Sequence, residues 1–438
     1  MPVDRSLHIF HAIRMSAKGR DEFVSNQNNN ARYIDMLTFI KAFTLLIMII
    51  LYPIQVSAEI YMPSAPKSER LAAVDAFWAD WKRVYLREGC GGVYVDTSGD
   101  DKQTWGGSHN STLTVSEAHG YGMVALVRMA HRDPNAHRLF DGMVEFYKAH
   151  PAASDAGLMA WNQTRDCVDA PDGGDMSATD GDLDIALALQ LADDVWGGYS
   201  SEARTARDAI LAQEVTFDGM MRLGDWANTG EYAYSSRSSD FMPASFAIFA
   251  KAGDNHAREW RAIRERGYAV WGTVARNYAK DTGLVPDFLI GLPSAPRPAK
   301  ADFLEGSGDG QFSWNALRFP WRLSLDLLET GDIRAQTHLE KINRWIRNAT
   351  NGDPLLIAST YRLNGTSPRD QSDNSTAFVA MFAAGALAGS GDPQADQIWI
   401  DMLWSTLISA PISDEDYYGN TLKLMAMIAL ADLWKPLE

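Results

Sequence analysis

Cysteine is nearly absent: Cys90 and Cys167 are the only two in 438 residues. Two thiols cannot build a cysteine-based zinc site, and no His-Glu-x-x-His segment offers a metalloprotease alternative. Positive charge is also short. Lys and Arg total 40 against 56 Asp and Glu, a net charge of −16. That excludes the basic face of a nucleic-acid binder and fits a soluble protein, or more weakly one with a cationic substrate. Val and Ile never alternate with polar residues over a long stretch, so no large sheet is expected. No nucleophile motif is evident. The composition, 46% hydrophobic and 22% charged, is that of a globular chain with a substantial core.

Long apolar runs are missing, with one exception. Residues 42–54 are nearly all apolar, follow Lys41 and lead to Val56-Ser57-Ala58. The run is shorter than the roughly 20 residues of a spanning helix. It reads as a secretion signal cleaved near Ala58, with Met36 as a natural start for it; a retained membrane anchor is the alternative. Residues 1–58 are therefore assigned to an N-terminal extension and signal, and residues 59–438 to one catalytic domain. The mature protein is expected to be secreted or periplasmic, free of the membrane, and monomeric. In such a compartment Cys90 and Cys167 can pair; two free buried thiols are the alternative.

What remains is helical. Apolar runs fall near 68–86, 115–131, 136–149, 180–196, 201–215, 243–253, 255–278, 314–330, 332–350, 376–388, 394–409 and 417–434. Ile185-Ala-Leu-Ala-Leu-Gln-Leu-Ala192 is apolar nearly all round and should be buried, whereas Ala257–Arg266 is amphipathic and should face solvent. Alternating inner and outer helices predict an all-α protein, an (α/α)6 barrel of about twelve helices. Loops 89–113, 154–179 and 281–313 carry the aromatic and acidic residues; loops of that length are commonly functional.

Two carboxylate stretches open helical runs: Ser116-Glu117 in 114–123, and Asp180 and Asp182 in 178–186. Paired carboxylates without metal ligands point to sugar hydrolysis. For Asp182 a capping box with Thr179 is the plainer expectation, while Asp180 can point outward from the helix end. Glu117 poses a conflict. A helix N-terminus lowers a carboxyl pKa, whereas a general acid needs it raised. Burial or a second carboxylate would have to prevail; a capping glutamate is the alternative. Trp161, Trp314, Tyr234, Tyr417 and Tyr418 lie in or beside loops, where rings suit stacking on sugars, although most of the 14 Trp residues should be core.

The segment 178–196, Ser116–Met123, Arg237-Ser-Ser-Asp-Phe-Met-Pro243, Asn315-Ala-Leu-Arg-Phe-Pro-Trp-Arg322 and Tyr417-Tyr-Gly-Asn420 closely resemble, in order, segments of glycoside hydrolase family 8. The likeness runs from about residue 68 to the end. It implies an (α/α)6 barrel that cleaves β-1,4-linked glycans with inversion and needs no cofactor and no metal, with a polysaccharide such as β-glucan, cellulose or chitosan as partner. It implies Glu117 as general acid, Asp180 as the carboxylate holding the distorted sugar, and sugar contacts for Trp161, Arg318 and Tyr418, with Trp314, Asn315 and Arg237 beside them. Two departures stand out. Ala118-His119 replaces the usual Gly-Gln. Asn315 stands where many members carry an aspartate base, so Glu305 on the 303–310 loop is assigned as base, resembling the chitosanase and mixed-linkage glucanase subfamily, with Asp309 as the weaker rival. The alternatives are a catalytically inactive glycan-binding protein and an accessory glucanase of a cellulose-export system.

Overall fold

The structure, a computed structural model, describes residues 59–98, 112–368 and 373–434. The apolar run 42–54, the cleavage point near Ala58 and residues 99–111 of the 89–113 loop lie outside the described residues. Among the described residues there are twelve α-helices: α1 (Lys67–Tyr85), α2 (Ser116–Arg128), α3 (Ala136–Ala149), α4 (Thr179–Trp196), α5 (Ser200–Ala209), α6 (Pro243–Phe249), α7 (Ala257–Tyr278), α8 (Phe319–Thr330), α9 (Ile333–Ala349), α10 (Thr376–Gly385), α11 (Pro393–Ser409) and α12 (Tyr417–Leu430). The even-numbered helices pack in a closed ring, α2 on α4, α4 on α6, and so on until α12 returns to α2. The odd-numbered helices form the outer layer: α3, α5, α7, α9 and α11 each lie on the inner helix before them, and α1 lies on α12. This is the expected (α/α)6 barrel.

Sequence composition sorts the two layers. Every residue of α12 is buried, as are nine of the ten in α10, because their Ala, Met, Leu and Phe side chains leave no polar face. Outer α9 buries one stripe, Ala335, Leu339, Ile342, Asn343 and Ile346, at helical spacing. Polar links cross the layers. The Trp81 Nε1 donates to Thr421 Oγ1 at 2.9 Å, and Arg264 on α7 donates to Asp326 on α8 at 2.6 and 2.9 Å. A buried bidentate pair, Arg322 to Asp184 at 2.7 and 2.5 Å, spans α8 and α4 inside the ring, the geometry that best repays desolvation of both charges.

Three small antiparallel sheets decorate the loops: β1 (Leu86–Gly89) with β2 (Gly92–Val95); β3 (Thr112–Val115) with β4 (Asn162–Thr164); and β5 (Ser235–Arg237), β6 (Phe288–Ile290) and β7 (Arg297–Pro298) in that order. Cys90 and Cys167, 77 positions apart in the sequence, form a disulfide with Cα atoms 5.2 Å apart. It joins the β1–β2 turn to the loop after β4. In the chain-entropy account a closed loop of this length contributes about 4 kcal/mol. Among the described residues no helix is long and apolar enough to cross a membrane.

Candidate active site

Inner helices α2, α4, α8 and α12 begin at the same end of the barrel, and their first residues meet. Two glycines make this possible. A Cβ on Gly181 would lie 2.6 Å from the Ser116 carbonyl carbon, and one on Gly120 would lie 2.7 Å from the Asp184 Cβ. With hydrogen at both positions, the starts of α2 and α4 touch, which sets Glu117 beside Asp180. Neither helix start has a side-chain cap; Val115 and Ala178 hold the capping positions. The capping expectations are thus corrected. Asp182 makes no box with Thr179; its Oδ1 accepts from the Met159 amide at 2.8 Å. Glu117 likewise caps nothing.

Arg318, immediately before α8, joins the carboxylates. Its Nη1 donates to Glu117 Oε2, to Asp180 Oδ2 at 2.8 Å and to the Tyr121 hydroxyl at 3.2 Å. Tyr417 donates from its hydroxyl to Glu117 Oε1 at 3.1 Å. Burial raises the Glu117 carboxyl to about 7, with the charge of Asp180 adding to the rise while Arg318 and Tyr417 oppose it. Burial would raise Asp180 too, but the Arg318 and Arg237 guanidinium groups outweigh it and hold Asp180 at about 2. The two carboxyls therefore separate into a proton carrier and a fixed anion, and the conflict over Glu117 is decided by desolvation against the helix dipole.

Glu305 stands across Arg318 from Glu117. The Arg318 Nη2 donates to Asn315 Oδ1 at 2.8 Å. The Asn315 Nδ2 donates to Glu305 Oε2 at 2.7 Å, and the Arg237 Nη2 donates to Glu305 Oε1 at 3.0 Å. Asp309 has a different task. Its carboxylate accepts from the amides of Leu304 at 2.7 Å, Glu305 at 3.1 Å and Gly306 at 2.9 Å, and its residue is only 2% exposed. It holds the backbone of the loop that carries Glu305. Phe303 anchors the same loop against Phe288 and Tyr232.

The aromatic candidates divide. Trp161 is half-buried beside the start of α2, its Nε1 donating to Gly173 O at 2.9 Å. Trp314 is half-buried against Phe378 and Tyr418. Tyr418 is buried, and its hydroxyl donates to Trp314 O at 2.8 Å. Arg318 is 1% exposed and Asn315 is 7% exposed, so both are enclosed, with protein groups at their polar ends. Tyr234 is 62% exposed. His119 faces α3, its Nε2 at 2.9 Å from Met143 O and its ring stacked on Phe146; burial lowers it to about 3, so it is a neutral core residue. Sequence reasoning missed Tyr417 and Tyr121 as partners in the hydrogen-bond network of Glu117 and Arg318. It also missed Asp240, fully buried near Asp180 and raised by burial and then by that charge, and Glu214, raised to about 7 by burial. Their only sequence signal was an acid inside an otherwise apolar or small-residue segment. Among the described residues no group of His, Cys, Asp and Glu could hold a metal ion.

Comparison with known proteins agrees with this geometry. The model of the glycosyl hydrolases family 8 matches residues 62–432. A β-glucanase of Niallia circulans is 39% identical over 372 residues, covering 83% of this chain and 85% of its own. An endoglucanase of Bacillus sp. (strain KSM-330) is 31% identical over 401 residues, covering 88% and 82%. The apo structure of a β-1,3-1,4-glucanase from Paenibacillus sp. X4 superposes with a TM-score of 0.79 at 37% identity, covering 87% of this chain and 97% of that one. The chain belongs to family 8 of the glycosyl hydrolases and is a glycoside hydrolase.

Proposed function

We propose that the protein is an inverting endo-β-glucanase whose preferred substrate is a mixed-linkage β-1,3-1,4-glucan. Glu117 is the general acid, Glu305 the general base and Asp180 the anion that stabilises the distorted sugar. The observation that carries this reading is the split between Glu117, held near 7 by burial, and Asp180, held near 2 by Arg318 and Arg237, with Glu305 held separately by Asn315 and Arg237. Glu117 donates its proton to the glycosidic oxygen as the bond to the anomeric carbon breaks. Glu305 takes a proton from a water that attacks that carbon from the opposite face, giving a hemiacetal of inverted configuration. Asp180 faces the positive charge that builds on the ring. Arg318, already touching Glu117, stabilises the carboxylate left behind. Glu305, with its side chain 45% exposed, returns its proton to solvent.

The preference for glucan over chitosan rests on charge. An amino sugar would want spare anions in the groove. Asp309 is occupied by three amides, Asp180 by Arg318, and Asp175 lies exposed in the turn behind Trp161. The β-glucanase names of the relatives at 39% and 37% identity point the same way. The inactive-binder alternative arose from Asn315; the Glu305 carboxylate beside it supplies the group that the amide lacks. Side-by-side assays on lichenan, carboxymethyl cellulose and chitosan test the reading: lichenan is expected to be cleaved fastest, and fastest cleavage of chitosan would overturn it. Residues 59–438 are read as a monomeric exported domain, released near Ala58. The Cys90–Cys167 disulfide supports an oxidising compartment, and the mature N-terminus, read by mass spectrometry, tests it.

A further inference from the structure

One amide sits among the charges of the cleft. Asn315 lies between a guanidinium and a carboxylate, accepting from Arg318 Nη2 at 2.8 Å and donating to Glu305 Oε2 at 2.7 Å. These neighbours fix its orientation. A reversed amide would set its oxygen against the Glu305 carboxylate and its NH2 against the guanidinium, replacing two charge-assisted hydrogen bonds with two repulsions. The same guanidinium contacts Glu117 and Asp180, so one continuous set of hydrogen bonds runs from the acid to Glu305.

We infer that Asn315 is a positioning residue that allows Glu305 to serve as the base: it holds the Glu305 carboxylate by one oxygen and ties its position to Arg318, and thereby to the acid. The inference rests on the reading of Glu305 as base. Glu305 sits on a loop, and Asp309 fixes only that loop's backbone. Its side chain is held by two donors, Asn315 and Arg237, one on each oxygen. Each oxygen keeps further acceptor capacity for a water. An aspartate at 315 would still satisfy Arg318 but would set a second anion against Glu305. The other charged groups facing Glu305 are Arg237 on β5, Asp287 just before β6, which burial and then other groups including the Glu305 charge bring to about 7, and Asp309 on its own loop.

Asn315→Asp, Asn315→Ala and Glu305→Gln, measured in parallel with the full mature chain, test this. Hydrogen bonds to charged groups correspond to about 10- to 100-fold in rate when fully expressed. Both Asn315 variants should lose about that much kcat with little change in KM. In Asn315→Asp, the acidic limb of the pH–rate profile should also move to higher pH, because the added anion disfavours an ionised base. Asn315→Asp is nearly isosteric and decides the matter even if the alanine variant fails to fold. A fall in kcat without movement of the acidic limb would indicate a structural role and overturn the inference, as would wild-type behaviour of both Asn315 variants beside a dead Glu305→Gln. Substantial activity in Glu305→Gln would instead overturn the reading of the base, and this inference with it.

Discussion

The two sides of the cleft hold their carboxylates by different means. Glu117 belongs to the first turn of an inner helix. Its side chain is 19% exposed and is reached by Arg318, just before α8, and by Tyr417, the first residue of α12. Its position follows from the packing of the barrel itself, down to Gly120 and Gly181 at the contact of α2 with α4. Glu305 is on a loop, 45% exposed, and its place depends on a few polar contacts and a small apolar cluster that includes Phe288 and Phe303. The difference suits the chemistry. An acid must be dry enough to keep its proton near neutrality, whereas a base must meet water and return a proton to it. On the buried side, desolvation outweighs Arg318 and Tyr417 and raises the pKa; the loop side is more exposed and relies on hydrogen bonds for aim.

Removing the acid should have the largest effect. Glu117→Gln keeps the shape but has no proton to give, and kcat on lichenan should fall by about 10²–10⁴. In the wild type, kcat/KM should decline as pH rises through about 7, as Glu117 ionises. A loss below tenfold in a folded variant would move the acid elsewhere and erase the contrast. Glu305→Ala should come next, with loss of most turnover and partial restoration by azide, which attacks from the vacated face to give a glycosyl azide; failure of azide to restore turnover would weaken the assignment of that face. Asp309→Ala should cost less, about tenfold, because it loosens the loop without removing the base. If Asp309→Ala proves as severe as Glu305→Ala, the loop has been misread and Asp309 touches the water.

The smallest effect concerns stability, and it samples buried carboxyls on both sides. Glu117, Glu214 and Asp287 are each raised to about 7 with burial as the leading cause, from ordinary values of 4.5, 4.5 and 3.8. Between those values and about 7 the folded chain keeps protons that the unfolded chain has released, so stability should fall as pH rises through this window. Thermal unfolding is expected several degrees lower at pH 7.5 than at pH 5. In Glu117→Gln, where no proton is lost at that position, the difference should shrink. A flat profile would mean that these carboxyls are better solvated than their burial implies.

Much of this was legible beforehand. Each of the twelve helical runs has its α-helix, because a run that is apolar all round and one with a single apolar stripe call for different layers, and both patterns are local. The segments that carry Glu117, Asp180, Arg237, Arg318 and Tyr418 could be located for the same reason: each is a short, contiguous string. The capping box at Thr179 and Asp182 was misread because a cap and a buried acid share one spacing; only the Met159 amide, twenty-three residues away, distinguishes them. The pairing of Cys90 with Cys167 was left open because nothing local brings together residues separated by 77 positions. Nothing local marked His119 as core; its ring stacks on Phe146 of the neighbouring helix.

Hydrophobic periodicity thus determined the architecture, and residue type determined which groups were chemically competent. The protonation states and partners were decided only by tertiary structure. Desolvation and Coulomb interactions depend on distances between elements far apart in the chain: Glu117 and Arg318 are separated by 201 positions and Glu117 and Tyr417 by 300. The same holds for Asn315 and Glu305, ten positions apart. That separation permits a contact, but only the folded loop directs one Glu305 oxygen toward the Asn315 amide.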